Sequence, residues 1–121
     1  MTRKITIFHN PNCSKSRKTL ELLEENGVKP NVVTYLTEPP LAQSIERLAG
    51  LLGLKVGDLL RKGEDDVKNA RDLPPLDDQV ALADWIHSHP KSLQRPIVVD
   101  EATDRAVIGR PPENVLDLLN K

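Results

Sequence analysis

One cysteine, Cys13, lies in the stretch His9-Asn10-Pro11-Asn12-Cys13-Ser14-Lys15-Ser16-Arg17. These residue types suit attack by sulfur on an electrophile. A thiol ordinarily titrates near 8.5 and is mostly protonated at neutral pH. Unpaired N–H groups at a helix N-terminus, together with the cations Lys15 and Arg17 and the ring of His9, favour the thiolate. The same surroundings favour a tetrahedral oxyanion, to whose oxygens Ser14 and Ser16 could donate. Against this stands the inert, buried cysteine that behaves as a small apolar residue. Cys13 to Ser16 reads C-x-x-S, a dithiol redox motif with its second thiol replaced by a hydroxyl. The phosphatase spacing, an arginine six residues after the cysteine, is not met because Thr19 stands there.

Three arginines could add oxyanion ligands through their planar forks of donors: Arg61, Arg95 and Arg110. Each lies at the end of a predicted element, and position alone favours a solvated surface cation by about three to one. His87 and His89 lack a third clustered ligand, so no metal site is expected. Glu64-Asp65-Asp66 reads as a solvated acidic loop.

The elements that must position Cys13 follow from hydrophobic periodicity. Residues 4–9 predict a buried strand, stopped by Asn10-Pro11. A helix starts near Cys13 or Ser14 and runs to Asn26, with Leu20 and Leu23 on one face and Gly27 at its end. Asn31 to Leu36 predicts a second strand, which in a β-α-β unit pairs parallel with the first through a right-handed crossover. Leu41, Ile45, Leu48 and Leu52 form a helical stripe closed by Gly53, and Val56 to Leu60 predicts a short turn. The polar stretch 63–78 reads as a surface connection with one helical turn. Asp77 or Asp78 caps a further helix carrying Val80, Ala83, Trp85 and Ile86. Pro96 to Asp100 and Arg105 to Gly109 predict an antiparallel hairpin, followed by a helix with Val115, Leu118 and Leu119 on one face.

The 121 residues predict one domain, whose core must be mostly Leu, Val and Ile because aromatics supply only 2%. The balance of 17 basic and 18 acidic side chains, net −1, gives no field suited to nucleic acid or an anionic membrane. No apolar run reaches 18 residues, and Met1-Thr2-Arg3-Lys4 does not open a signal peptide, so a cytoplasmic protein is expected. With one cysteine, a second thiol has to come from another molecule.

The order β-α-β, helices over about 41–89, then β-β-α is that of a thioredoxin-like fold. It implies α/β class and a mixed four-stranded sheet, with the helical stretch inserted between the two halves. In that fold a cis proline faces the active cysteine, which would be Pro96. The chain resembles the glutaredoxin-coupled arsenate reductase family in several ordered segments: the stretch 9–17, Tyr35-Leu36 before Pro39-Pro40, Leu59-Leu60-Arg61-Lys62, Arg95-Pro96-Ile97-Val98-Val99, and Gly109-Arg110-Pro111-Pro112-Glu113 with Val115-Leu116. The resemblance implies that Cys13 attacks arsenate and that His9 helps activate it. It further implies that Arg61, Arg95 and Arg110 hold the oxyanion, with Ser16 and Arg17 beside the thiol. Glutathione as co-substrate and glutaredoxin as partner are implied too, with no bound cofactor and a monomeric chain. The chain ends at Lys121, sooner than better-studied members. A glutathione-linked thiol reductase with another substrate shares this nucleophile, and the family is also similar to Spx-type regulators that bind RNA polymerase.

Overall fold

The computed structural model describes residues 4–94 and 96–119. The chain divides into two compact units, Met1–Tyr35 with Arg95–Lys121, and Leu36–Gln94.

The first unit is built on a four-stranded sheet. Strand β1, Ile5–His9, is followed by helix α1, Ser14–Glu25, and by β2, Asn31–Thr34. After the second unit come β3, Ile97–Asp100, and β4, Arg105–Ile108. The sheet order is β2-β1-β3-β4. β1 pairs parallel with β2, Phe8 opposite Val33, and antiparallel with β3, Phe8 opposite Ile97. β3 and β4 form the expected antiparallel hairpin. This is the mixed sheet of a thioredoxin-like α/β fold. The central strand β3 is buried at all four residues, as its unbroken Ile-Val-Val run requires. One face of the sheet carries a core of Ile5, Ile7, Leu23, Val28, Val98, Val115 and Leu118. Its last two members come from the chain end, where a 3-10 turn, Pro112–Val115, runs into the short helix α5, Leu116–Leu119.

Two boundaries differ from expectation. β2 stops at Thr34, so Tyr35, although fully buried, lies outside the strand. α1 ends at Glu25, and Gly27 follows at φ 76°, a left-handed conformation that costs a residue without Cβ little.

The second unit is helical. Helix α2, Ala42–Leu52, packs on α4, Gln79–Ser88, with a 3-10 turn, Val56–Leu59, against both. The turn within 63–78 is helix α3, Asp65–Lys68. Asp78 caps α4 by accepting from the Ala81 N–H at 3.1 Å. The two expected apolar stripes are trimmed at their starts. Leu41 is the N-cap of α2 and 63% exposed, and Val80, in the first turn of α4, is 67% exposed. Ile45, Leu48, Leu82, Ala83, Trp85 and Ile86 are buried. Periodicity alone thus overstates burial in these first turns. Among the described residues no helix is long and apolar enough to cross a membrane.

Candidate active site

Cys13 is the N-cap of α1, with φ −102° and ψ 122°. Its carbonyl accepts from the Arg17 N–H at 3.0 Å, the first bond of the helix, and its own N–H donates to the Asn10 carbonyl at 3.0 Å. The side chain makes no capping hydrogen bond. An N-cap faces the N–H groups of the first helical turn, so the half-buried thiol sits at the positive end of a helix of 12 residues.

Buried polar groups hold the loop before it. Asn10, a residue we did not single out from the sequence, is 6% exposed. Besides the Cys13 N–H, it accepts the Asn12 N–H on Oδ1 at 2.9 Å. Asparagine accepting from the backbone two residues on is an Asx turn, a signal present in Asn-Pro-Asn. Ser16 departs from its expected role. It is fully buried, and its Oγ accepts from the Asn10 N–H at 3.0 Å and lies 2.7 Å from His9 Nδ1. The Asn10 group only donates, while the Ser16 hydroxyl can donate to Nδ1 or accept a second hydrogen from it, according to the tautomer of His9. Ser16 therefore orients His9 and closes the loop, and its hydroxyl is not turned outward to an anion.

Burial lowers the His9 pKa from its ordinary value, and the nearby Arg17 guanidinium lowers it further. His9 thus brings no positive charge to the thiol at neutral pH. Arg17 is exposed and donates through a guanidinium nitrogen to the Pro11 carbonyl at 2.8 Å, across the loop.

The depressed pKa links to stability. The unfolded chain binds a proton to His9 near pH 6.5, and the folded chain only below that. The His9 contribution is therefore complete above about pH 6.5 and is lost as pH falls toward the folded value. Denaturant midpoints at pH 7.5 and pH 5 should show a smaller drop for His9→Asn than for the parent. An equal drop would mean that His9 titrates as an ordinary exposed imidazole.

Arg110 leaves β4 through Gly109, whose N–H donates to the Pro96 carbonyl at 2.9 Å. A Cβ at Gly109 would lie 2.5 Å from Thr19 Oγ1 and 2.8 Å from Pro96 Cγ. The backbone before Arg110 is thus pressed against α1, at the buried Thr19. Arg110 itself is exposed, and its bond to Pro111 is cis. The expected cis bond, Arg95–Pro96, includes Arg95 and lies outside the described residues, as does Arg95 itself; Pro96 is buried. Arg61 belongs to the second unit. There its N–H donates to the Ser92 carbonyl at 2.7 Å, its carbonyl accepts from the Glu64 N–H at 3.0 Å, and its guanidinium lies 3.8 Å from the Glu64 carboxylate.

His87 and His89 serve the helical unit. Their Nδ1 atoms donate to the carbonyls of Pro40 and Trp85, each at 2.8 Å, and His89 stacks on the Trp85 ring at 4.0 Å. Among the described residues no cluster of three His, Cys, Asp or Glu could hold a metal ion.

The model of the ArsC family matches residues 8–118. The chain belongs to the ArsC family. Among its relatives, an Escherichia coli K12 protein named "Uncharacterized protein YfgD" is 44% identical over 98% of this chain and 99% of its own length. An "Arsenate reductase" of Neisseria meningitidis serogroup A is 43% identical over 93% of this chain and 95% of its own. The solved structure "Arsenate reductase from Vibrio cholerae" superposes with a TM-score of 0.84 at 41% identity, covering 97% of this chain and 98% of that one. The family match takes in His9, Cys13, Ser16, Arg17, Arg61, Arg95 and Arg110, and so spans every residue expected at the site.

Proposed function

We propose that this ArsC-family chain is an arsenate reductase in which Cys13 is the nucleophile and glutathione and glutaredoxin supply the electrons. The observation that carries the reading is the single cysteine at the N-terminus of α1, in a loop tied to β1 by buried hydrogen bonds. Membership of the family and relatives named arsenate reductase over nearly the whole chain support the substrate.

In this reading the Cys13 thiolate attacks arsenate, an arsenic–sulfur bond forms and water leaves. The thiol of glutathione displaces a second arsenic oxygen as water, so that arsenic(V) carries both sulfurs. Glutaredoxin then attacks the glutathione sulfur. That sulfur–sulfur bond leaves two electrons on arsenic, which passes from As(V) to As(III). Hydrolysis frees arsenite and restores the Cys13 thiol. Two external thiols are oxidised for each arsenate, in keeping with a chain that has no second cysteine. Arg110, Arg61 and Arg95 are assigned to the oxyanion charge, which grows as sulfur attacks. Arg17 is assigned to the thiolate side, and neutral His9 to activation of the thiol. The reaction requires no prosthetic group. The reading makes the enzyme cytoplasmic and monomeric.

The test is arsenite production by the purified chain with arsenate, glutathione and glutaredoxin. Turnover that requires all three supports the reading, and folded protein without turnover sinks it. Activity toward glutathionylated protein that survives Arg110→Ala would point instead to a general glutathione-linked reductase.

A further inference from the structure

The turn that presents Arg110 is tied by a side chain outside every motif of the site. Asn114, in the 3-10 turn Pro112–Val115, donates from Nδ2 to the Ile108 carbonyl at 3.1 Å and to the Arg110 carbonyl at 3.3 Å. Its backbone N–H donates to the Pro111 carbonyl at 3.0 Å. One planar amide nitrogen with two hydrogens thereby holds the two carbonyls that flank Gly109. The other side of the turn is equally fixed. The Arg110 N–H donates back to the Ile108 carbonyl at 2.9 Å, and Gly109 is bonded to Pro96 and has no free space toward Thr19. The backbone of an exposed arginine is thus anchored at both neighbouring residues.

We propose that Asn114 is a positioning residue for oxyanion binding. By tying the Ile108 and Arg110 carbonyls together, it sets the direction in which the Arg110 side chain leaves the sheet. A long side chain rooted on a loose loop would surrender backbone as well as rotamer freedom on binding an anion. Rooted on a clamped turn, it surrenders rotamer freedom alone. The inference rests on the assignment of Arg110 to the oxyanion and extends it to the residue that aims it.

The test uses the full chain and reads how arsenate and sulfate protect Cys13 from alkylation. In Asn114→Ala the half-protecting concentration should rise about 3- to 10-fold, the ordinary worth of a lost hydrogen bond or two. Asn114→Ser keeps one donor and should give a smaller rise; it also serves if the alanine variant folds poorly. In an Arg110→Ala background Asn114→Ala should leave protection unchanged, because the group it aims is gone. Melting temperature, read alongside, should fall by the same amount in both backgrounds. The proposal is overturned by unchanged protection in Asn114→Ala and Asn114→Ser, or by the same fold-loss with and without Arg110. If Arg110→Ala alone leaves protection intact, the assignment of Arg110 to the oxyanion fails first, and the positioning role goes with it.

Discussion

Cys13→Ser should yield a protein that no longer reduces arsenate yet is at least as stable as its parent. A serine hydroxyl stays protonated at neutral pH, and its oxygen cannot form the arsenic–sulfur bond on which the proposed cycle depends. Activity should fall at least roughly a thousandfold, as when other enzymes lose their nucleophile. Stability should move the other way. Cys13 occupies the N-cap of α1 and makes no side-chain capping bond, while its bonds to Asn10 and Arg17 run through the backbone. Serine is among the best N-cap residues and should add up to about 1 kcal/mol. Thermal melts beside arsenite assays read both effects. A variant that melts several degrees lower would show that the thiol contributes to the fold. A protein that gains stability by losing its reactive group shows stability given up for chemistry.

Gly109→Ala should be the most damaging single methyl group in the sheet unit. The new carbon would stand 2.5 Å from Thr19 Oγ1, 3.1 Å from Thr19 Cγ2 and 2.8 Å from Pro96 Cγ. Thr19 cannot readily yield, because its hydroxyl donates to the Lys15 carbonyl at 2.8 Å and the residue is fully buried. The Pro96 ring is rigid. Strand β4 and α1 must therefore separate, at a cost of about 1–3 kcal/mol. Denaturant unfolding measures this, and a cycle with Thr19→Ala apportions it. The penalty should shrink in the Thr19→Ala background but not vanish, since the proline contact remains. An equal penalty in both backgrounds would place the obstruction at Pro96 alone. Because Arg110 is the next residue, oxyanion protection of Cys13 should weaken in the same variant.

The contrast between these two positions shows what the sequence makes legible. The β1–α1 junction could be read because its signals are local: a β-branched run, Asn-Pro, a lone cysteine and then helical spacing. The parallel β1–β2 pair and the β3–β4 hairpin followed from element order. The bonds of the Ser16 hydroxyl to His9 and Asn10 were not legible, because its direction depends on helix phase relative to β1, which no residue type announces. Gly109 and Asn114 act through partners distant in sequence or through backbone carbonyls, so their types alone carry no such message. Leu41 and Val80 kept the right period and still point to solvent, because burial needs an opposing surface as well as a stripe.

The order of strands in the sheet also bears on how the site comes into being. β1 carries the cysteine loop at one end of the chain, and its central neighbour β3 lies beyond the whole helical unit Leu36–Gln94. Phe8 meets Ile97, so this pairing closes a loop that spans most of the chain, whereas the helical unit closes only loops within one continuous stretch. During synthesis the Cys13 thiol exists before the strand that completes its sheet has been made. Until Asp100 has been added, the loop that holds Cys13 lacks one of the two strands that flank β1, and the sulfur is older than the sheet that completes its surroundings.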